Sequence, residues 1–165
     1  MIVTFLIHLG WFALLVLCQA LLFNNIHIFG YTTPFIYLYL IIKFNADTSR
    51  YVLLLWGFAL GLAVDIFENT PGINAAATLL LAMTRPGLLH LFTPRDSTDN
   101  FTPGINSMGS GLFIRYTLLS LLVHQTAFIT LLTFSFADPL TMFVRIISNT
   151  LLTILCFWGI EKVRT

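Results

Sequence analysis

The stretch from Met1 to Ile42, MIVTFLIHLGWFALLVLCQALLFNNIHIFGYTTPFIYLYLII, contains no Asp, Glu, Lys or Arg. A run that long exceeds the ~20 apolar residues that one membrane crossing needs. The polar cluster Asn24-Asn25-Ile26-His27, with Gly30 and Pro34 behind it, splits the run in two. The rest of the composition points the same way. Of 165 residues 58% are hydrophobic and only 9% charged, with a mean hydropathy of +0.90, where a soluble domain carries roughly 25% charged residues. The expected fold class is therefore all-α, a polytopic integral membrane protein. The 8 basic and 7 acidic residues leave a net charge of +1, which builds no basic field for a nucleic acid.

Working outward from that first run, hydropathy and turn residues predict six transmembrane helices in a single domain, 1–165. The spans cover about 2–23, 33–44, 51–67, 71–92, 112–136 and 139–160, with one extended polar loop at 93–111. The second span is short, since ~12 helical residues cover about 18 Å of a ~30 Å hydrocarbon core. Thr70 and Pro71 read as cap and first helical residue of the fourth span. Arg85-Pro86-Gly87 near its end reads as a kink or an early exit. Thr70-Pro71-Gly72-Ile73-Asn74 recurs as Thr102-Pro103-Gly104-Ile105-Asn106. The flanks of the two copies differ, so coincident turn chemistry explains them better than a duplicated half.

With six spans both termini share a side with the 43–50 turn and the 85–115 stretch. That side collects Lys43, Arg50, Arg85, Arg95, Arg115, Lys162 and Arg164, and only Arg145 falls elsewhere. Positive residues mark the cytoplasmic face, so both termini are expected to be cytoplasmic.

Three features carry chemical information. Gly57 and Gly61 lie four apart in the third span, a small-residue surface that lets backbones approach, either within the chain or on a partner's helix. Asp65 follows on the same stripe. It lies about 21 Å along the helix from Tyr51, and Arg145 reaches the same depth about 9 Å inward from Pro139. An intramembrane Asp65 to Arg145 pair is one expectation, and hydration of Asp65 at the outer interface is the other. His124 falls near the midplane of the fifth span, where a hydrogen bond to a neighbouring helix is expected. Cys18 and Cys156 sit in apolar runs without metal-ligand spacing, and no phosphate loop, nucleophile elbow or His-Glu-x-x-His motif occurs. Neither catalytic, cofactor-binding nor metal-ligating residues are assigned, and no enzymatic activity is expected.

The stretch Gly61-Leu62-Ala63-Val64-Asp65-Ile66-Phe67-Glu68-Asn69-Thr70-Pro71-Gly72-Ile73-Asn74-Ala75-Ala76 resembles the bacterial rod shape-determining MreD family. Length, six spans and cytoplasmic termini agree with that family along the chain. The resemblance implies a non-enzymatic scaffold of the cell-elongation complex in the bacterial cytoplasmic membrane. Its partner would be an MreC-like bitopic protein, which links it indirectly to MreB filaments, the RodA glycosyltransferase and a class B penicillin-binding protein. Gly61, Asp65 and Gly72 match the motif and carry structural or interface duties under this reading. The alternative is the substrate-binding membrane subunit of an energy-coupling-factor vitamin transporter, which would need a concave outer pocket with convergent polar groups.

Overall fold

A computed structural model of the chain describes residues 2–23, 33–93, 100–134 and 138–164. These residues are all-helical, without strands. Seven helices follow in order: α1 Ile2–Leu21, α2 Leu38–Ile42, α3 Arg50–Glu68, α4 Ile73–Phe92, α5 Ile105–Met108, α6 Ser110–Thr133 and α7 Pro139–Arg164. Among them α3, α4, α6 and the Pro139–Val163 part of α7 are long and apolar enough to cross a membrane, and α1 contributes a shorter apolar helix, Phe5–Leu21. The polar cluster expected to divide the first two spans, within 24–32, the end of the fifth expected span with Ala137, 135–137, and residues 94–99 of the polar loop lie outside the described residues.

The long helices pack in sequence, α1 on α3, α3 on α4, α4 on α6 and α6 on α7. The most intimate contact is α3 on α4, and its cause is legible residue by residue. A Cβ on Gly61 would stand 2.5 Å from the Ala75 Cα, and one on Gly57 would stand 2.9 Å from the Ala82 Cβ. Glycine at both positions is what lets the backbones touch. The Gly57/Gly61 face is thus occupied by α4 within the same chain.

The second predicted span departs from expectation. Residues 33–44 contain helix only at Leu38–Ile42, five residues, preceded by extended and turn backbone. This segment is nevertheless the centre of the molecule, because every residue from Pro34 to Ile42 is buried. It runs beside α7 in the same direction, Thr33 meeting Asn149, Phe35 meeting Thr153, and Tyr39 and Lys43 meeting Glu161. Over those twelve residues α7 advances about 18 Å, so the partly extended segment covers a similar height with fewer residues. Hydropathy reads the segment as a span because it is apolar on every side. A helix facing lipid and an irregular strand enclosed by helices share that signature.

Two local expectations also change. The α4 helix continues through Pro86 to Phe92 with no early exit. Arg85, grouped above with the inner basic residues, is fully buried. Its guanidinium donates to the carbonyls of Ile42 (3.4 Å) and Phe44, which the end of α2 leaves without helical partners.

Candidate functional site

The α3–α4 turn holds the motif residues. Asn69 closes α3 in the left-handed conformation at φ 56°, and Gly72 opens α4 at φ 85°. Asp65, 3% exposed, reaches across this turn. Its Oδ1 accepts from the Thr70 hydroxyl and the Asn74 amide, both at 2.9 Å, and its Oδ2 accepts from the Ala75 amide at 2.9 Å. The carboxylate of one helix therefore caps the next, satisfying amides that have no partner inside α4 and meeting the positive end of its dipole. Thr70, expected to be the cap, instead hands its proton to the capping carboxylate, and the helix starts at Ile73 rather than Pro71. The expected partner of Asp65 is likewise replaced. Both its oxygens are taken by groups from the turn and α4, whereas Arg145 sits half-buried on α7 close enough to Asp138 to be felt electrostatically. A nearer partner, nine residues along the chain, takes the carboxylate.

From this turn a polar chain runs inward. Asn74 Nδ2 donates to Glu68 (2.8 Å), and Asn74 Oδ1 accepts from the Tyr37 hydroxyl (2.9 Å). The Tyr37 oxygen is 3.2 Å from His124 Nε2, and Thr78 Oγ1 is 3.4 Å from the same nitrogen. Because the Tyr37 proton is committed to Asn74, Nε2 of His124 is the donor and Nδ1 is left as an acceptor. His124 thus makes the interhelical hydrogen bond that its midplane position led us to expect, with its ring stacked on Phe128 at a centroid distance of 6.2 Å.

The central segment has the harder problem, since non-helical backbone at membrane depth strands N–H and C=O groups at several kcal/mol each unless something bonds them. Side chains from four surrounding helices supply the bonds. Gln19 of α1 accepts from the Ile36 amide (2.9 Å) and donates to the Pro34 carbonyl (3.1 Å), imitating a neighbouring strand. Asn149 and Thr153 of α7 accept from the Thr33 and Phe35 amides at 3.1 Å each. Arg85 of α4 and the Tyr116 hydroxyl of α6 both donate to the Ile42 carbonyl.

At the other end of the segment Lys43 and Glu161 form a largely buried ion pair at 2.8 Å. The Tyr39 hydroxyl (2.7 Å) and the Ile105 amide (3.2 Å) also donate to Glu161. Gly104 presses on this pair: a Cβ there would stand 2.6 Å from Glu161 Oε1 and 2.7 Å from Lys43 Nζ.

The sequence reading missed Gln19, Tyr37, Arg85, Asn149, Thr153 and Glu161. One signal was available. Asn149, Thr153, Phe157 and Glu161 recur every four residues on α7 and are all buried, so a polar stripe marked the face that holds the segment. Among the described residues no three His, Cys, Asp or Glu side chains gather as metal ligands. The site as a whole offers hydrogen bonding, and most of it is spent on fixing backbone. No family model, curated protein or solved structure matches the chain.

Proposed function

We propose that this chain is a non-enzymatic membrane scaffold of the bacterial cell-elongation complex, resembling the MreD family, with both termini on the cytoplasmic side of the inner membrane. The observation that carries this reading is the chemistry of Asp65. The carboxylate of the motif Gly61, Asp65 and Gly72 is held by three donors, one from its own turn and two from the start of α4, so the motif acts as a joint between two membrane helices. A joint of that kind suits a protein whose work is to hold others in register. The partner under this reading is an MreC-like one-span protein, which connects the scaffold indirectly to MreB filaments, RodA and a class B penicillin-binding protein.

The face available to a partner's helix is on α7, where Leu140, Val144, Ile147, Leu151, Leu155 and Trp158 are exposed at spacings of three and four residues. Such spacing makes a continuous ridge for helix packing. The Gly57/Gly61 face is filled by α4 and is unavailable to it.

Co-purification of the full chain in mild detergent with the one-span protein encoded beside it tests the proposal. Recovery of that protein, reduced at least ten-fold by Leu151→Lys at unchanged chain abundance, is the expected result. Failure to recover it, together with retention of a vitamin by the purified chain, would sink the cell-shape reading and favour the energy-coupling-factor transporter subunit.

A further inference from the structure

Near the starts of α1 and α3 the two helices border a groove of about 560 Å³, whose wall also includes Tyr39, Leu40, Lys43 and Phe44. Trp11 and Leu15 of α1, Val52 and Trp56 of α3, and Phe44 line it. Trp56 is braced by Phe5, Phe12 and Phe44 at ring distances of 5.7, 5.8 and 6.0 Å, so the wall is supported on three sides. From Phe5 to Leu15 the groove follows α1 for about 15 Å. Its polarity is mixed. Hydrocarbon and aromatic side chains make most of the wall, and Lys43, Asn45, Thr48 and Thr102 add polar groups to it. One of the three ammonium protons of Lys43 goes to Glu161 at 2.8 Å, which leaves donors for a second anion.

We propose that this groove binds one phospholipid, its acyl chain lying between Trp11 and Trp56 and its phosphate at Lys43 and Thr48. The direction follows from the chain itself. Lys43 belongs to the side on which the basic residues are expected to gather, the level at which leaflet phosphates sit, and the groove follows α1 from Phe5 to Leu15 along the helix axis. Free phosphate shares the headgroup chemistry but would leave the aromatic walls uncovered. A lipid satisfies both kinds of lining at once, and it comes from the surrounding leaflet.

The test uses the full chain, delipidated in mild detergent and offered equimolar phosphatidylglycerol and phosphatidylethanolamine, with native mass spectrometry as the readout. One phospholipid per chain is expected to remain bound to the unaltered protein. Val52→Trp, which fills the groove, lowers that occupancy at least five-fold, and Leu155→Trp, which adds the same bulk to the exposed face of α7, leaves it unchanged. Absence of bound lipid, equal retention in Val52→Trp, or displacement by millimolar inorganic phosphate overturns the proposal. Should Val52→Trp fail to fold, the Trp158→Phe protein retains Trp11 and Trp56 as the two tryptophans, both in the groove. Brominated phosphatidylglycerol then quenches their emission saturably near one equivalent, and quenching that climbs without saturation overturns the site.

Discussion

The five residues Thr-Pro-Gly-Ile-Asn occur twice, and the two copies do the same job with different means. At 70–74 and at 102–106 each opens a helix on its isoleucine, and each leaves an early backbone amide bonded to a carboxylate outside that helix. In the first copy the acid is Asp65, nine residues earlier, and Gly72 turns left-handed to bring it into reach. In the second the acid is Glu161, fifty-six residues later on α7, and Gly104 is extended at φ −179°. Glycine serves at 72 for its left-handed backbone, whereas at 104 a side chain would have to displace the ends of Lys43 and Glu161. The shared letters encode a helix start in need of an anion, and tertiary structure decides which anion arrives.

Breaking the distant copy should cost most. Glu161→Ala leaves Lys43 buried without its counter-ion and is expected to lower stability by about 3–5 kcal/mol, read as loss of resistance to denaturant in micelles. Replacing both partners, Lys43→Met with Glu161→Met, recovers most of that loss; if the double variant is no better than the single one, the ion pair is not what Glu161 is for. Breaking the local copy costs less. Asp65→Ala removes a charged cap and is expected to cost about 2 kcal/mol. In a cycle with Arg145→Gln the two changes add to within about 0.5 kcal/mol, and a larger coupling would reinstate the pair that depth alone implied.

The glycines sharpen the contrast further. Gly72→Ala is expected to cost about 1 kcal/mol, and Gly72→Asn less, because asparagine tolerates the left-handed region. At Gly104 the order disappears, since alanine and asparagine both collide with Lys43 and Glu161, and thermal unfolding of the four variants checks it.

The smallest effect belongs to a third helix start. Asp138 precedes α7 and accepts from the Thr141 hydroxyl and amide, which hold its carboxyl below the usual range. A depressed carboxyl contributes stability above its unfolded pKa and loses it as pH falls through the folded value. Thr141→Val moves the Asp138 titration back up toward an ordinary carboxylate, followed by NMR, with little change in overall stability.

Much of the framework was legible in the sequence because hydropathy and turn residues report directly on membrane helices. The limits of α3, α4 and α7 fall within a few residues of the expected spans, and the small-residue stripe at Gly57 and Gly61 did mark a close helix contact. What escaped was everything decided by facing direction. Residues 33–44 are apolar whether they face lipid or other helices. Glu161 lies one residue past the expected end of the sixth span, and only Lys43 beside it reveals its partner. Counting residues sets Asp65 and Arg145 at one expected depth, yet the groups from Thr70 to Ala75 are what bond the Asp65 carboxylate. One dimension of position can be counted along a chain, but the angle around a helix axis needs the partners.

The central segment also sets an order of events during synthesis. Residues 33–44 leave the ribosome early, but the side chains that bond Thr33, Phe35 and Tyr39 lie 116 to 122 residues later in α7. Until α7 is made, Gln19, Arg85 and Tyr116 can hold Pro34, Ile36 and Ile42, but the Thr33 and Phe35 amides have no partner in a solvent that offers none. A chain that stops before Asn149 is therefore expected to be degraded as an unfinished product even though most of its helices are complete, and pulse-chase of such a truncation against the full chain measures it. The hydrogen bonds of the second segment are complete only once α7 is in place.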